Sequence, residues 1–391
     1  MMHRRAFLVG TAATLFVGGG LSRASGIASI QVGGSLSLTG PLRKICQPIR
    51  EGLELWADEV NAAGGLRGQA VVLKLLDDAG DPGQAQAIYR GLVTESNLLV
   101  SPYGSYLSQA VIDLVEGSGV PMVVHSAASP ALWEPPRRSA VQMLTPAPRF
   151  LEGAVEVAKQ AGAVTAALVY QDDPFTRAVL GGVRDLAAAA GLKVVSFQSY
   201  QETREVPRIL ATLPPVDLLL GGGYTPGEGA GGFQPAALAL TQGAGAVGLR
   251  PILLGALIAP SFPEFGNILG KEAEGICGNT GWKPYLRTPD NAGFVARYRA
   301  RFGREPDAHA AGGYAAGQVL ARAVEAAKDL RRVGEALFQL ETTTIFGRYR
   351  VDGAGRQVGK VNALIQWQGG RPETVWPPWL ATAAFHSLRE Q

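Results

Sequence analysis

Ile30-Gln31-Val32-Gly33-Gly34-Ser35-Leu36-Ser37-Leu38-Thr39-Gly40-Pro41 is the stretch from which the fold is read. Ile30–Leu36 reads as a strand, and Ser37 to Pro41 as the loop that leaves it. Ile49, Leu53, Trp56 and Val60 then recur at helical spacing, and Ala63-Gly64-Gly65 ends that helix. Val71–Leu76 is a second strand, followed by the turn Asp77-Asp78-Ala79-Gly80. Asp81-Pro82 is a helix start, because Asp caps and Pro lacks the donor that goes unpaired in the first turn. Ala85, Ile88 and Leu92 give that helix its buried face. Leu98–Val100 and Val120–His125 are further strands, each expected to lead into a turn and a helical segment.

The pattern restarts near Thr145. Helices are predicted over 150–160, 176–190, 233–242, 291–302, 308–328 and 332–340. Strands are predicted over 164–170, 193–197, 216–220, 251–254 and 275–278. Strands alternating with helices imply parallel sheets covered on both faces, and two such runs imply two doubly wound α/β lobes. The tail differs. Gly347–Val351, the turn Asp352-Gly353-Ala354-Gly355 and Val361–Trp367, closed by Gly369-Gly370, carry a hairpin signal.

Before Ile30, Arg4-Arg5 precede an apolar run, Val9 to Leu21, that is too short to cross a bilayer, which takes about 20 residues. This is the pattern of a cleaved export signal over residues 1–24, and the paired arginines point to the twin-arginine route. The whole chain of 391 residues carries a formal charge of +3. Arg4, Arg5 and Arg23 account for it, and residues 1–24 hold no acid, so the processed chain is formally neutral. The basic balance therefore gives no case for nucleic-acid binding. Two cysteines, Cys46 and Cys277, form no disulfide framework; they either pair in an oxidising compartment or stay as buried thiols.

Catalytic parts are missing. Gly221-Gly222-Gly223-Tyr224-Thr225-Pro226-Gly227 follows a strand, but Pro226 stands where a dinucleotide fingerprint needs its third Gly. No P-loop, HExxH, CxxC or G-x-S-x-G motif occurs. The four histidines, one of them in the signal, leave little for a metal site or a triad. The chain is expected to be no enzyme and to need no metal or cofactor.

Ser37-Leu38-Thr39-Gly40-Pro41, Asn61-Ala62-Ala63-Gly64-Gly65 and Asp77-Asp78 with Asp81-Pro82 are joined by later matches. These are Ser101-Pro102-Tyr103-Gly104-Ser105, Ser126-Ala127-Ala128-Ser129-Pro130, Asp172-Asp173-Pro174-Phe175 and Phe302-Gly303-Arg304-Glu305-Pro306-Asp307. In this order and spacing the chain resembles the leucine/isoleucine/valine-binding family of periplasmic substrate-binding proteins for ABC transporters. The resemblance implies the type I periplasmic binding fold: two lobes, three hinge crossings near Thr145, Thr280 and Thr343, and one ligand in the cleft. Lobe 1 is then 25–145 with 282–343, and lobe 2 is 146–281 with 344–391. It further implies a monomer that hands its solute to an ABC permease in the inner membrane. The same fold also serves ligand sensing through a receptor.

Ligands of open α/β sheets sit beyond the carboxyl ends of the strands, where helix N-termini suit a carboxylate. Gly104-Ser105-Tyr106 and Ser126-Ala127-Ala128-Ser129 are such turns, although serines there also serve as plain caps. By resemblance they grip a ligand carboxylate through Ser105 or Tyr106, the backbone of Ala127 and Ala128, and Ser129. Two departures stand out. Relatives that bind amino acids usually carry a hydroxyl at the Ala128 position, and they need an acid for the ligand ammonium, since a buried charge must be paired. Gly255-Ala256-Leu257 offers none, and Glu228, Glu202 and Asp173 are not placed by any motif. Phe175 stands where many relatives carry Tyr.

Tyr103, Tyr106, Phe175, Tyr224, Trp282 and Tyr285 collect at the expected cleft turns, as wall or as packing between lobes. The expected ligand is an apolar or aromatic carboxylate; a branched-chain or other amino acid or amide is the alternative. His309 reads as a helix-start histidine or a neutral donor to the cleft, and Arg43 and Lys44 as loop charges or contacts to a second acid group.

Overall fold

The computed structural model describes residues 29–224 and 232–390. The signal segment 1–24 and Glu228 lie outside the described residues.

The first lobe is built from β1 (Ile30–Leu36), α1 (Arg43–Ala62), β2 (Val71–Asp77), α2 (Pro82–Glu95), β3 (Leu98–Val100), α3 (Gly104–Ser118), β4 (Met122–Val124) and β5 (Ala140–Gln142). Its sheet is wholly parallel, in the order β2-β1-β3-β4-β5. Strand β5 was not expected, since only three residues after Pro135-Pro136 form it. Only a single 3-10 turn, Pro130–Trp133, follows β4 where a helical segment was predicted.

The second lobe runs through α4 (Glu152–Gln160), β6 (Thr165–Gln171), α5 (Pro174–Ala189), β7 (Lys193–Tyr200), α6 (Val206–Leu210), β8 (Leu218–Gly222), α7 (Gln234–Ala246), β9 (Leu253–Gly255), α8 (Pro263–Leu269) and β10 (Cys277–Thr280). The chain then returns to the first lobe with α9 (Asn291–Phe302), α10 (Ala308–Ala326), α11 (Val333–Gln339) and the strand pair β11 (Thr342–Thr344) and β12 (Gly347–Tyr349). It ends in the second lobe with β13 (Ala363–Gln368) and β14 (Arg371–Trp376). The second sheet has the order β14-β13-β10-β9-β8-β6-β7, parallel except for the last two strands of the chain.

The hairpin expected across Asp352–Gly355 is therefore redistributed. β12 pairs back on β11, and β13 pairs with β14 across Gly369-Gly370 and with β10 on its other side. The cause is a crossing between lobes. Ile345, Phe346, Tyr349 and Val351 are buried in the first core, whereas Leu364 and Ile365 are buried in the second. The third connection thus lies between Gln357 and Leu364, not near Thr343, and the residues after 344 stay with the first lobe as far as Gln357, whose N–H reaches Gln142 Oε1 at 3.2 Å. The other two connections lie between Met143 and Ala147 and between Cys277 and Trp282.

Polar groups tie these connections together. The Thr145 hydroxyl donates to Asn362 Oδ1 at 3.0 Å. Lys360 Nζ donates to the carbonyls of Gly281, at 2.6 Å, and Phe346, and lies 4.2 Å from the centre of the Phe346 ring. Burial pushes the Lys360 ammonium down to about 7.

The two thiols are free and buried, Cys46 in the first core and Cys277 in the second. Burial pushes the Cys46 thiol up to about 12 and that of Cys277 upward as well.

Glycines let α1 and α10 meet backbone to backbone. A Cβ on Gly52 would stand 2.1 Å from the Ala310 carbonyl oxygen, and one on Gly313 would stand 2.3 Å from that of Ile49. On Gly317 it would meet the Trp56 ring at 2.1 Å. Overpacking of this kind costs about 1–3 kcal/mol. Gly313→Val is accordingly expected to lower first-lobe stability by about that much in urea unfolding. The control Gly91→Ala, in α2, is expected not to lower stability, since nothing lies within 4 Å of that site and its backbone is helical.

Candidate functional site

A cavity of about 600 Å³ lies between the carboxyl-end loops of the two sheets. Its first wall is the loop after β1, held in place by two acids. Asp78 is fully buried and accepts from the hydroxyls of Ser35 and Ser37, at 2.7 and 2.6 Å, and from Gly80 N–H at 3.0 Å. Asp77 accepts from the N–H groups of Leu38, Thr39 and Ala79 and from the Thr39 hydroxyl. Pro41, Leu42 and Gly80 thereby face the cavity. Burial alone would raise the Asp77 carboxyl, but these hydrogen bonds outweigh it and hold it below its usual range.

The second wall is the pair of serine turns. Ser105 Oγ, at the start of α3, accepts from the N–H groups of Ala128 and Ser129 at 3.3 and 3.1 Å. Both lone pairs are then engaged, and the hydroxyl hydrogen has no acceptor among the described residues. It is a donor at the cavity wall. Ser126 Oγ sits between Gly104 N–H and the Pro102 carbonyl, at 3.4 Å each. Ser105, Tyr106, Ser126 and Ala128 line the cavity, with Tyr106 largely exposed at the rim. Ala127 and Ser129 do not line it. Ala127 is buried among the apolar residues behind the turn, and its carbonyl accepts from Gln142 Nε2 at 3.4 Å.

The third wall is aromatic and belongs to the second lobe. Phe175 meets Phe150 edge-on at 5.3 Å and Phe233 at 6.3 Å, and Tyr224 lies 4.9 Å from Phe233. All four line the cavity. Phe150, Phe233, Phe262 and Asn279 escaped sequence reading because no motif marks them; Phe150, Phe233 and Asn279 lie in or beside predicted elements, whereas Phe262 precedes α8, which was not predicted. Trp282 lies elsewhere. It is 2 % exposed, donates its indole N–H to Asn291 Oδ1 at 2.7 Å and packs against Phe294 in the first core. Its large apolar ring follows β10 directly, at the crossing, and is buried there. Tyr285 is also outside the cavity, with its hydroxyl 3.1 Å from that of Thr374.

No acid among the described residues faces the cavity uncommitted. Asp173 caps α5 through Phe175 and Thr176 N–H, at 2.8 and 3.1 Å, and takes the Thr176 hydroxyl. Burial pushes its carboxyl up. Asp172 pairs with Arg177 at 2.6 Å. Glu202 is exposed, pairs with Arg204 and belongs to a capping box outside the cavity. The turn at Leu257 adopts φ +47°, and its carbonyl accepts from Asn279 N–H at 2.8 Å.

The neutral polar groups are more available. The Tyr224 hydroxyl, Gln171 Oε1 and Asn279 Oδ1 are buried lining atoms without a partner among the described residues. His125 Nε2 bonds the Ser101 carbonyl at 2.9 Å, and burial pushes its imidazole down to about 4, so it is neutral near pH 7. His309 faces the cavity, stacked on Phe262 at 6.0 Å with Nε2 3.4 Å from the Tyr103 hydroxyl. Arg43 and Lys44 are exposed in the first turn of α1 and do not line the cavity.

This architecture has relatives. A family model described as periplasmic binding protein matches residues 29–371. Leu/Ile/Val-binding protein homolog 8 of Brucella suis biovar 1 (strain 1330) is 24% identical over 385 residues, covering 91% of this chain and 93% of the relative. The branched-chain amino acid transporter substrate binding protein LivJ of Streptococcus pneumoniae, solved with isoleucine, is 19% identical with a TM-score of 0.74, covering 90% of this chain and 100% of that one. A solute binding protein of an R. palustris ABC transporter, solved with benzoate, is 19% identical with a TM-score of 0.72, covering 89% of this chain and 96% of that one.

The Asp77 network yields a pH test. A carboxyl held below its unfolded value of 3.8 adds stability that is present above that pH and is lost as pH falls through its folded value. Asp77→Asn is expected to lower stability at pH 7 in urea unfolding and to flatten the fall in stability between pH 4 and pH 3. Equal acid slopes in both proteins would contradict this role.

Proposed function

The chain belongs to the periplasmic binding protein family, and on that premise we propose that it captures a small apolar or aromatic carboxylic acid between its lobes. Delivery is to an ABC importer of the branched-chain amino acid type. Export by the twin-arginine route is part of the same reading, resting on Arg4-Arg5 before the apolar run Val9 to Leu21.

The observation that carries the choice of ligand is the absence of an uncommitted acid on the cavity wall among the described residues. A zwitterion brings an ammonium that must be paired once water is excluded, and Asp172 and Asp173 already serve Arg177 and the α5 cap. A carboxylate needs donors instead. Ser105 supplies a free O–H, and the Tyr224 hydroxyl a second. Phe150, Phe175, Phe233 and Phe262 suit a ring or an alkyl body. The benzoate-bound relative supports this reading, and the isoleucine-bound one marks the alternative.

Calorimetry on the processed protein tests the proposal. Benzoate or a medium-chain aliphatic acid is expected to bind and leucine to be silent. Ser105→Ala is expected to weaken the acid by about tenfold or more, since a hydrogen bond to a charged group contributes about 1.5–3 kcal/mol. Tight leucine binding with no response to acids would overturn the reading.

A further inference from the structure

A second cavity, of about 990 Å³, also lies between the lobes. It shares Ser261, Phe262, Thr280 and Ala308 with the first, so the two adjoin across the Phe262–His309 stack. Trp282 and Lys283 border it from one lobe, and Lys271 and Trp367 from the other.

We propose that this second cavity is a binding site for an anionic group, with Lys283 as its counter-charge and Lys271 completing the pair from the opposite lobe.

Lys283 is 8% exposed. Among the described residues its ammonium has neither a hydrogen-bond acceptor nor a carboxylate within 4 Å. Its backbone carbonyl is engaged by Leu286 N–H, at 3.1 Å, and by Asn291 Nδ2, at 3.2 Å, but this leaves the side chain unserved. Lys360 shows what the fold does with a buried ammonium that is purely structural: two carbonyls and a ring surround it. Lys283 has no such partners; its stem is buried while its ammonium keeps contact with the solvent of the cavity, and burial pushes it down to about 8.

The acids that border the cavity are already in use. Glu274 accepts from the N–H groups of Gly369 and Gly370. Glu305 pairs with Arg299, and Asp307 caps α10 through His309 and Ala310 N–H. The two lysines are the border cations without a partner among the described residues. An incoming oxyanion gains Lys283, with exposed Lys271 on the opposite border, and Trp282, Trp367 and Phe262 offer its apolar body a surface. Because the lysines sit on different lobes, an occupant spans the two.

The same chemistry arises from a free anion or from the distal acid group of a cleft ligand, and two arms separate them. In the first, inorganic phosphate is titrated into the processed protein. Tryptophan fluorescence is read, together with the 13Cε resonance of Lys283, assigned by its loss in Lys283→Gln. In the second, terephthalate is compared with benzoate by calorimetry.

A free-anion site predicts a saturable phosphate response that shifts the Lys283 resonance and weakens at least tenfold in Lys283→Gln. A distal subsite predicts that terephthalate binds about tenfold tighter than benzoate and that Lys283→Gln removes this advantage. Lys283→Arg is expected to retain either effect. Removing an unpaired charge is expected not to lower the melting temperature, which separates ligand recognition from a structural role. The proposal is overturned if neither arm responds, or if the responses persist unchanged in Lys283→Gln.

Discussion

Two lobes that share one polypeptide must be joined by backbone that runs through a buried junction, and the polar groups of that backbone have to be met there. This constraint shapes the molecule. Lys360, itself in the third connection, meets it for the second by donating to Gly281, and ties both to the first lobe by donating to Phe346 while resting against the Phe346 ring. The Thr145–Asn362 hydrogen bond ties the first connection to the third. Gly281, Phe346 and Asn362 also line the cavity, so the floor of the cleft and the junction between the lobes are one structure. Any relative movement of the lobes has to pivot on residues that also line the cavity.

Charge is distributed unevenly around the cleft. Asp77 and Asp78 are spent on holding the first loop, Asp173 on capping α5 and Asp172 on Arg177. What faces the cavity is a wall of rings with a few neutral donors and acceptors. Such a surface discriminates by shape and by the sign of the ligand's charge more than by a dense hydrogen-bond pattern. The same Asp-rich motifs by which the sequence resembles the Leu/Ile/Val-binding family therefore position loops and say little about the solute.

Much of the fold was legible. β1, α9 and the Asp81-Pro82 start of α2 stand as their spacing and caps predict, because local pattern and tertiary context agree there. Legibility failed where the deciding fact was long-range. Gly347–Val351 and Val361–Trp367 look like one hairpin in sequence, yet they lie in different lobes, and nothing local marks the chain's departure after Gln357. Trp282 looks like a cleft aromatic because it follows β10, yet the crossing turns its ring into the first core. The turn that puts Ser105 on the cavity wall was legible, but the use Ser105 makes of the Ala128 and Ser129 N–H groups was not. That depends on two turns meeting across 23 residues of chain. The phenylalanines of the aromatic wall carry no spacing signal and emerge only when the lobes face each other.

The two thiols add a last point. Cys46 and Cys277 are sealed in separate cores, so no covalent clasp joins the lobes beyond the chain itself. No disulfide has to form between the lobes, and no disulfide isomerase is needed to sort one. The joining of the two lobes therefore does not depend on the thiol–disulfide poise of the compartment in which the chain folds.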